Sequence, residues 1–331
     1  MWGSAFTSFV LPGFAQGRAG ERGRMMAFAA LGLASNLALV WTVWALAAAA
    51  GVRLASAIDG ALCARKADPA RSGMGLAGIA AAVGVVGLLA IQLATAQFRV
   101  PSASMYPTLE IGDHFFVDRA SLLWRAPRRG EVIVFHYPCA DGRDYNKRVV
   151  AVAGDTVEVR CEVLYVNGAA VKRELVDADC TYDDYDDRMD TWLARRCTRY
   201  RETLDGARYD VFGEPPGASP MTARDFPDRD QMPVPPSCAK NRDDLDPLTL
   251  APNQHGGAIV DAPMRPVDPC APSQHYVVPE DSLFVLGDNR PDSNDSRYWG
   301  VVPVENVIGR AIGVWRASGR HGTRERFGDI H

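Results

Sequence analysis

Two serines one residue apart, Ser102 and Ser104, lie in the stretch PSASMYPTLEIGDHFFVDR, which begins at Pro101. A serine hydroxyl attacks a carbonyl only when a base takes its proton and donors hold the oxyanion that forms. Histidine is the usual base. The six histidines of this chain, His114, His136, His255, His275, His321 and His331, are scattered, and none stands in a glycine-framed serine elbow. His114 and His136 fall at strand positions and read as satisfied or surface side chains. Lysine is the alternative, and DYNKRVVAVAGD at 144–155 places Lys147 at the head of an apolar run. With its ordinary pKa of about 10.4, a lysine in water at about pH 7.5 is neutral only about one time in a thousand. Desolvation beside Val149, Val150, Ala151 and Val152 disfavours the ammonium form and makes such an amine usable as a base. Alone, Lys147 reads better as a surface side chain snorkelling over apolar neighbours than as a catalytic base. A third polar stretch, LGDNRPDSNDSRYWGVVP at 286–303, adds Ser293 and an Asp295/Arg297 pair spaced for a local ion pair. Taken by itself it is an Asx-rich loop.

The elements that must position these residues are mostly strands. Short runs of alternating or β-branched apolar residues predict strands at EVIVFHY (131–137), RVVAVAG (148–154), SLFVLG (282–287) and NVIGRAIGVW (306–315). VLYVNGAAV (163–171) predicts a hairpin turning at Asn167-Gly168, residues that tolerate the positive φ of a type I′ turn. From about Asp177 to Gln274, DADCTYDDYDDRMD, GEPPGASP and MPVPPSC are dense in Asp and Pro. That density predicts a loop-rich insertion tied down by Cys180, Cys197, Cys238 and Cys270. Within it, WLARRCTRYRETLDGARYDVF suggests a short helix followed by a hairpin. The acids Asp183, Asp184, Asp186 and Asp187 lack the spaced ligands, central Gly and terminal Glu of an EF-hand, so they read as a solvated acidic face rather than a calcium site. No internal repeat is visible.

Two charge-free runs precede these strands, at residues 25–52 and 72–98. Each exceeds the roughly 20 residues that cross a bilayer and is apolar on every face, which predicts two transmembrane helices. The first starts too late and runs too long for a cleaved signal. Arg53, Arg65, Lys66 and Arg71 in the connecting segment 53–71 suit a cytoplasmic loop, which puts both ends outside. Arg18, Arg22 and Arg24 in the amino-terminal flank pull the other way, so charge alone does not fix orientation. Pro12 and Gly13 in FVLPGFAQG (9–17) suggest a turn or interfacial segment. Six cysteines follow the second run, which points to an oxidising compartment and up to three disulfides, with Cys63 left reduced in the linker. No CxxC or close Cys/His cluster suggests zinc. The net charge of −4, without a basic stripe, does not suggest nucleic acid as a partner.

In order along the chain, PSASMYPTL, RRGEVIVF (128–135), YNKRVVAVAGD and GDNRPDSNDSRYWGVVP resemble the four boxes of the bacterial type I signal peptidases, serine-lysine proteases of the membrane. Two spans ahead of the first box also match. The resemblance implies two transmembrane α-helices followed by a mainly β catalytic domain (99–176 and 275–318), with an inserted Asp/Pro-rich second domain (177–274) and a tail (319–331). The insertion resembles the family's variable second domain only at YRETLDGARYDVF. Carried over by position, Ser104 is the nucleophile and Lys147 the general base. Ser102 and the Ser104 amide form the oxyanion hole, and Ser293 orients the lysine. Asp295, Arg297 and Arg148 form a supporting ion-pair network, and Val100, Met105 and Leu109 line pockets that accept Ala-x-Ala, with Met105 reading equally well as core packing. No metal or other cofactor is implied. The implied partners are preprotein signal peptides and the lipid bilayer, close to the secretion translocon, with the catalytic domain on the outer face of the bacterial inner membrane. Three positions depart from the pattern: Asn146 where a branched apolar residue is common, Pro291 where an acid is common, and Arg99 near the membrane exit. Three rivals stand beside this reading. One is a self-cleaving repressor with a Ser-Lys core, against which the spans argue. The others are a specialised maturation protease for one pilus or conjugation substrate and a catalytically silent membrane-anchored β-domain.

Overall fold

The structure, a computed structural model, describes residues 2–19, 21–37, 45–66, 81–82, 85, 92–140, 142–186, 189–218, 238, 256–261, 268, 270–317 and 328–330. The chain divides into two compact units, Met1–Gln97 with Asp118–Ser121, and Phe98–Val117 with Leu122–His331.

The first unit is helical: α1 (Trp2–Val10), α2 (Phe14–Arg18), α3 (Arg22–Leu37) and α4 (Ala45–Lys66). The Pro12-Gly13 turn separates α1 from α2. Gly13 adopts φ +92°, and a Cβ there would lie 2.6 Å from the Met25 carbonyl, so only glycine fits. Its N–H donates to Ser56 Oγ at 3.0 Å. Gln16, fully buried, donates to Ser56 O (2.9 Å) and Asp59 Oδ2 (3.1 Å) and accepts from Ser8 Oγ (3.0 Å). Large apolar side chains point the other way: Met26, Leu31, Leu54, Ile58 and Leu62 are exposed.

The expected spans are redrawn. Residues 25–52 fall across α3 and α4, with 38–44 outside the described residues. The expected loop 53–71 is instead helix as far as Lys66, because Ala, Leu, Arg and Lys, all good helix formers, dominate Arg53 through Lys66 and no proline stops them. Most of the second run lies outside the described residues, which take in only 81–82, 85 and 92–98 of it, and its last residues belong to β1 (Thr95–Arg99). Among the described residues no helix is long and apolar enough to cross a membrane.

The second unit is mainly β. Its largest sheet runs in the order β1, β2 (His114–Asp118), β15 (Val307–Arg316), β3 (Val132–His136), β4 (Asp144–Val152), β13 (Ser282–Leu286) and β14 (Val302–Pro303), with β16 (Gly328–Asp329) beside β15. The central strands are buried on both faces, so their apolar runs are continuous rather than alternating, as in VIVF of β3 and SLFVL of β13. A second sheet has the order β11 (Ala258–Asp261), β12 (Gln274–Val277), β5 (Thr156–Arg160), β6 (Val163–Val166) and β7 (Ala169–Ala170). The hairpin between β6 and β7 turns at Asn167 (φ 53°) and Gly168 (φ 75°), as its sequence demands. Val150, Val157, Leu164, Tyr276, Phe284 and Leu286 form one core between these two sheets, and Ile133, Val149, Val285 and Trp299 anchor another.

The first part of the insertion differs from expectation. Instead of loops it forms a third sheet, in the order β10 (Ala207–Gly213), β9 (Thr191–Leu204), β8 (Lys172–Asp186). The expected helix at WLARRC is strand. The acid-rich β8 is a strand because β9 sets basic and aromatic residues against it: Arg196 pairs with Asp179 (2.8 Å), Arg195 with Asp184 (3.5 Å), and Trp192 packs on Tyr185. Cross-strand pairing outweighs the poor strand propensity of aspartate. Asp187 and most of the remaining insertion lie outside the described residues. Three disulfides form, and Cys63 is free. Cys180–Cys197 closes the ribbon, whereas Cys238 and Cys270 reach back to Cys139 and Cys161 rather than to each other.

Candidate active site

Ser104 sits in a single 3-10 turn, Ala103–Met105, directly after β1 and between Pro101 and Pro107. Lys147 lies within β4, in register with Ile133 of β3. The fold brings these residues, 43 positions apart, into contact: Lys147 Nζ is 2.8 Å from Ser104 Oγ. Lys147 is 4% exposed and Ser104 8%, so the pair is largely shielded from water. Lys147 Nζ also donates to the Asn146 carbonyl at 3.0 Å and stands 5.4 Å from the centre of the Tyr145 ring. Because the backbone of Asn146 makes that bond, its unusual side chain does not alter it. Ser102 is exposed, and its hydroxyl donates to Ser104 Oγ at 3.2 Å.

The polar stretch after β13 holds the serine turn from the other side. Asn289 N–H donates to Ser104 O (3.1 Å) and Asn289 Nδ2 to Ala103 O (3.2 Å). Gly287 lies closer still: a Cβ there would meet Ser293 Oγ at 2.2 Å and Ser104 O at 2.4 Å. Its N–H donates to Asp295 Oδ2 at 3.0 Å. Asp295 is fully buried and takes two further hydrogen bonds from the Arg297 side chain, each at 2.8 Å. Burial pushes its carboxyl upward, but the charge and hydrogen bonds of Arg297 outweigh this and hold it below the ordinary carboxylate value. Pro291 opens a short 3-10 turn, Arg290–Asp292, where its fixed φ suits the first position. Arg99 is exposed at the end of β1.

The structure places the remaining expected site residues as follows. Arg148 does not join Asp295 and Arg297. It forms a separate bidentate pair with Asp288 (2.8 and 2.7 Å), both side chains fully buried, and stacks 3.9 Å from the centre of the Tyr209 ring. The sequence places Arg148 on the opposite face of β4 from Lys147, since side chains alternate along a strand. Ser293 is buried close to the site, and its side chain acts on the Asp295 carboxylate, helping to hold it below the ordinary value. Val100, Met105 and Leu109 are 1%, 0% and 0% exposed and lie packed beneath the serine turn.

Residues that sequence reasoning passed over complete the frame. Thr108 hydrogen-bonds Asp288, and Arg290 forms a buried pair with Glu202 of β9 (2.6 Å). Phe212 of β10 donates its N–H to Asp288 O at 2.8 Å, and Tyr182 of β8 stacks on Phe212 and packs at a tilt against Tyr106. Burial pushes the Tyr182 hydroxyl up to about 12. A glycine and two polar residues between a buried strand and Ser293 were the available signal. GDN had weight in the sequence only as part of a box.

A hydroxyl in contact with a shielded amine, on a β scaffold that fixes both backbones, is an arrangement in which the amine can take the serine proton, as in the class of serine hydrolases. The family model described as signal peptidase, peptidase S26, matches residues 74–316. The signal peptidase I of Aquifex aeolicus is 32% identical over 218 residues, 66% of this chain and 74% of that protein. That of Pseudomonas aeruginosa is 29% identical over 241 residues, 66% of this chain and 63% of that protein. A solved signal peptidase I from Enterococcus faecalis covers 56% of this chain and 97% of its own at 20% identity, with a TM-score of 0.24, too low to argue from. The chain belongs to the signal peptidase family, peptidase S26, on the side of the bacterial type I enzymes, and is a serine endopeptidase.

Proposed function

We propose that this chain removes signal peptides from exported preproteins with Ser104 as nucleophile and Lys147 as general base. The observation that carries the reading is the 2.8 Å contact between Ser104 Oγ and Lys147 Nζ at a site only a few per cent exposed. Neutral Lys147 takes the Ser104 proton as the oxygen attacks the scissile carbonyl. The oxyanion is held by the Ser104 amide and by the Ser102 hydroxyl, which turns from Ser104 Oγ toward it. The lysine then protonates the leaving amine, and water activated by the same amine releases the acyl-enzyme. Asp295–Arg297 and Arg148–Asp288 hold the two sides of the frame.

The proposal includes a membrane anchor and an outward-facing catalytic domain. The helical unit supports this reading by its arrangement: Ser8, Gln16 and Ser56 are inside, fully hydrogen-bonded, while Leu54, Ile58 and Leu62 share one exposed face of α4. Polar groups inside and apolar ones outside suit lipid rather than water. Three disulfides suit an oxidising compartment. Ser104 follows the end of β1 by five residues, so a signal peptide held in the bilayer meets the site at high effective concentration. The cut follows small residues of the Ala-x-Ala kind, with the secretion translocon nearby as the source of substrate.

The test is cleavage of a preprotein carrying an Ala-x-Ala site by the detergent-solubilised full chain. Ser104→Ala and Lys147→Ala are each expected to lower the rate at least about a thousandfold. Wild-type cleavage in either variant would overturn the assignment.

A further inference from the structure

A cavity of about 720 Å³ opens beside the β9–β10 hairpin, lined mainly by the sheet face opposite to Tyr200 and Glu202 and reached at its edge by Tyr209. Alternation along the strands puts Arg199 and Arg201 of β9 on the same face as Arg208 and Asp210 of β10, with Arg201 directly across from Asp210. All four line the cavity, together with Asp329 of β16 and Pro107–Thr108 from the loop that carries Ser104.

Asp210 gathers the first two arginines. Its Oδ2 accepts from Arg199 Nε (2.7 Å) and NH2, while Arg201 gives it Nε (2.7 Å to Oδ1) and NH2 (3.1 Å to Oδ2). Each guanidinium has five N–H donors and spends two on this carboxylate, so three on each remain for a ligand. Arg208 is exposed and makes no close ion pair among the described residues, although the Glu174 carboxylate acts on it and on Arg201 through space. The wall thus carries three arginines against two carboxylates, Asp210 and Asp329. Asp210 acts as a clip that holds two cationic forks side by side. Burial acts to raise its carboxyl, yet Arg201 and Arg199 keep it below the ordinary carboxylate value, a sign of the positive potential there.

We propose that this cavity binds a phosphate-bearing anion, either a phosphodiester headgroup or free phosphate. A tetrahedral phosphate presents several oxygens and accepts paired N–H bonds from planar guanidinium forks, which a single ammonium cannot supply. The volume lies in the range of about 300–1,000 Å³ usual for small-ligand sites. Asp329 is the acid that an entering anion must approach, and so sets a ceiling on its affinity. Thr108 lines the cavity and also bonds Asp288 of the catalytic frame, so occupancy touches the same loop that holds the nucleophile.

The test is isothermal titration of the full chain in a zwitterionic detergent at low ionic strength. Two probes are used: inorganic phosphate, and glycerophosphoglycerol as a headgroup without acyl chains. Saturable binding is expected, weakened about tenfold in Arg208→Gln through loss of a charge-assisted hydrogen bond, and strengthened several-fold in Asp329→Asn. Opposite shifts from these two exposed or half-buried positions separate ligand binding from general damage to the fold. Tighter binding of the diester assigns a lipid headgroup, and tighter binding of phosphate assigns the free ion. No saturable heat from either probe, or one affinity shared by wild type and both variants, overturns the site.

Discussion

Gly287 is the tightest point around the nucleophile, and it tests how far catalysis depends on backbone placement. A Cβ at that position would lie 2.4 Å from Ser104 O and 2.2 Å from Ser293 Oγ, so the serine turn must retreat before alanine fits. Displacing a nucleophile by about 1 Å costs on the order of a hundredfold in rate. Gly287→Ala is therefore expected to lower kcat by about two orders of magnitude with little change in KM, measured by single-turnover cleavage of a preprotein. A rate near wild type would show that the turn adjusts freely. The chemistry at this scale was legible where it depends on residue type: a serine, a lysine and apolar neighbours in β4. What was not legible was which partner each buried charge takes. Arg148 precedes Val149 in an apolar strand, and nothing in that spacing distinguishes Asp288 from Asp295 as its partner. Only the direction in which β13 and the following turn run decides it.

The strands around the site were readable because their apolar runs are short, β-branched and bounded by turns, and Asn167-Gly168 could fold only one way. The ribbon of β8 and β9 was not, because its stability lies between strands rather than within either. The Asp residues of β8 look like loop residues until the arginines of β9 come within reach, Arg199 directly opposite Asp177 and Arg196 and Arg195 on the diagonal to Asp179 and Asp184. The Cys180–Cys197 bond crosses this ribbon beside Ala103, Tyr106 and Phe212, which makes it a strap behind the nucleophile turn. A closed loop of this length stabilises by about 3 kcal/mol in the chain-entropy view. The Cys180→Ser/Cys197→Ser variant is expected to lose about that much in urea unfolding and to become sensitive to proteolysis between 176 and 204. Equal stability and unchanged protease resistance would mean that cross-strand charges and the stacking of Tyr182 hold the ribbon unaided.

Across the whole catalytic unit, long-range ties replace a single large core. Cys139–Cys238 and Cys161–Cys270 close loops 99 and 109 residues apart, and the buried pairs Arg148–Asp288 and Arg290–Glu202 join segments 140 and 88 apart. Such pairs add little net energy where both partners are present, but losing one leaves a buried charge, so they specify the arrangement more than they strengthen it. The number of disulfides could be read from the cysteine count; the pairing could not, because it depends on where a long insertion returns. Titration should expose this construction at both ends of the pH range. Asp295 and Asp210 have carboxyls held below their ordinary value, so their contribution is full above about pH 3.9 and is lost as pH falls through the lower folded values. Tyr182 and Tyr276 are the converse at high pH, since burial raises each to about 12. Between about pH 10, where an unfolded tyrosine ionises, and pH 12, the unfolded chain releases protons that the native chain keeps, so stability falls. Urea midpoints of the full chain in detergent are expected to be level from about pH 6 to 9 and to decline from pH 10 upward. The Tyr182→Phe/Tyr276→Phe variant starts from a lower midpoint, because Gly257 N–H loses its acceptor at 2.9 Å, but its decline above pH 10 is shallower. An identical slope in the variant would move the alkaline weakness to other groups and leave these two hydroxyls without a part in it.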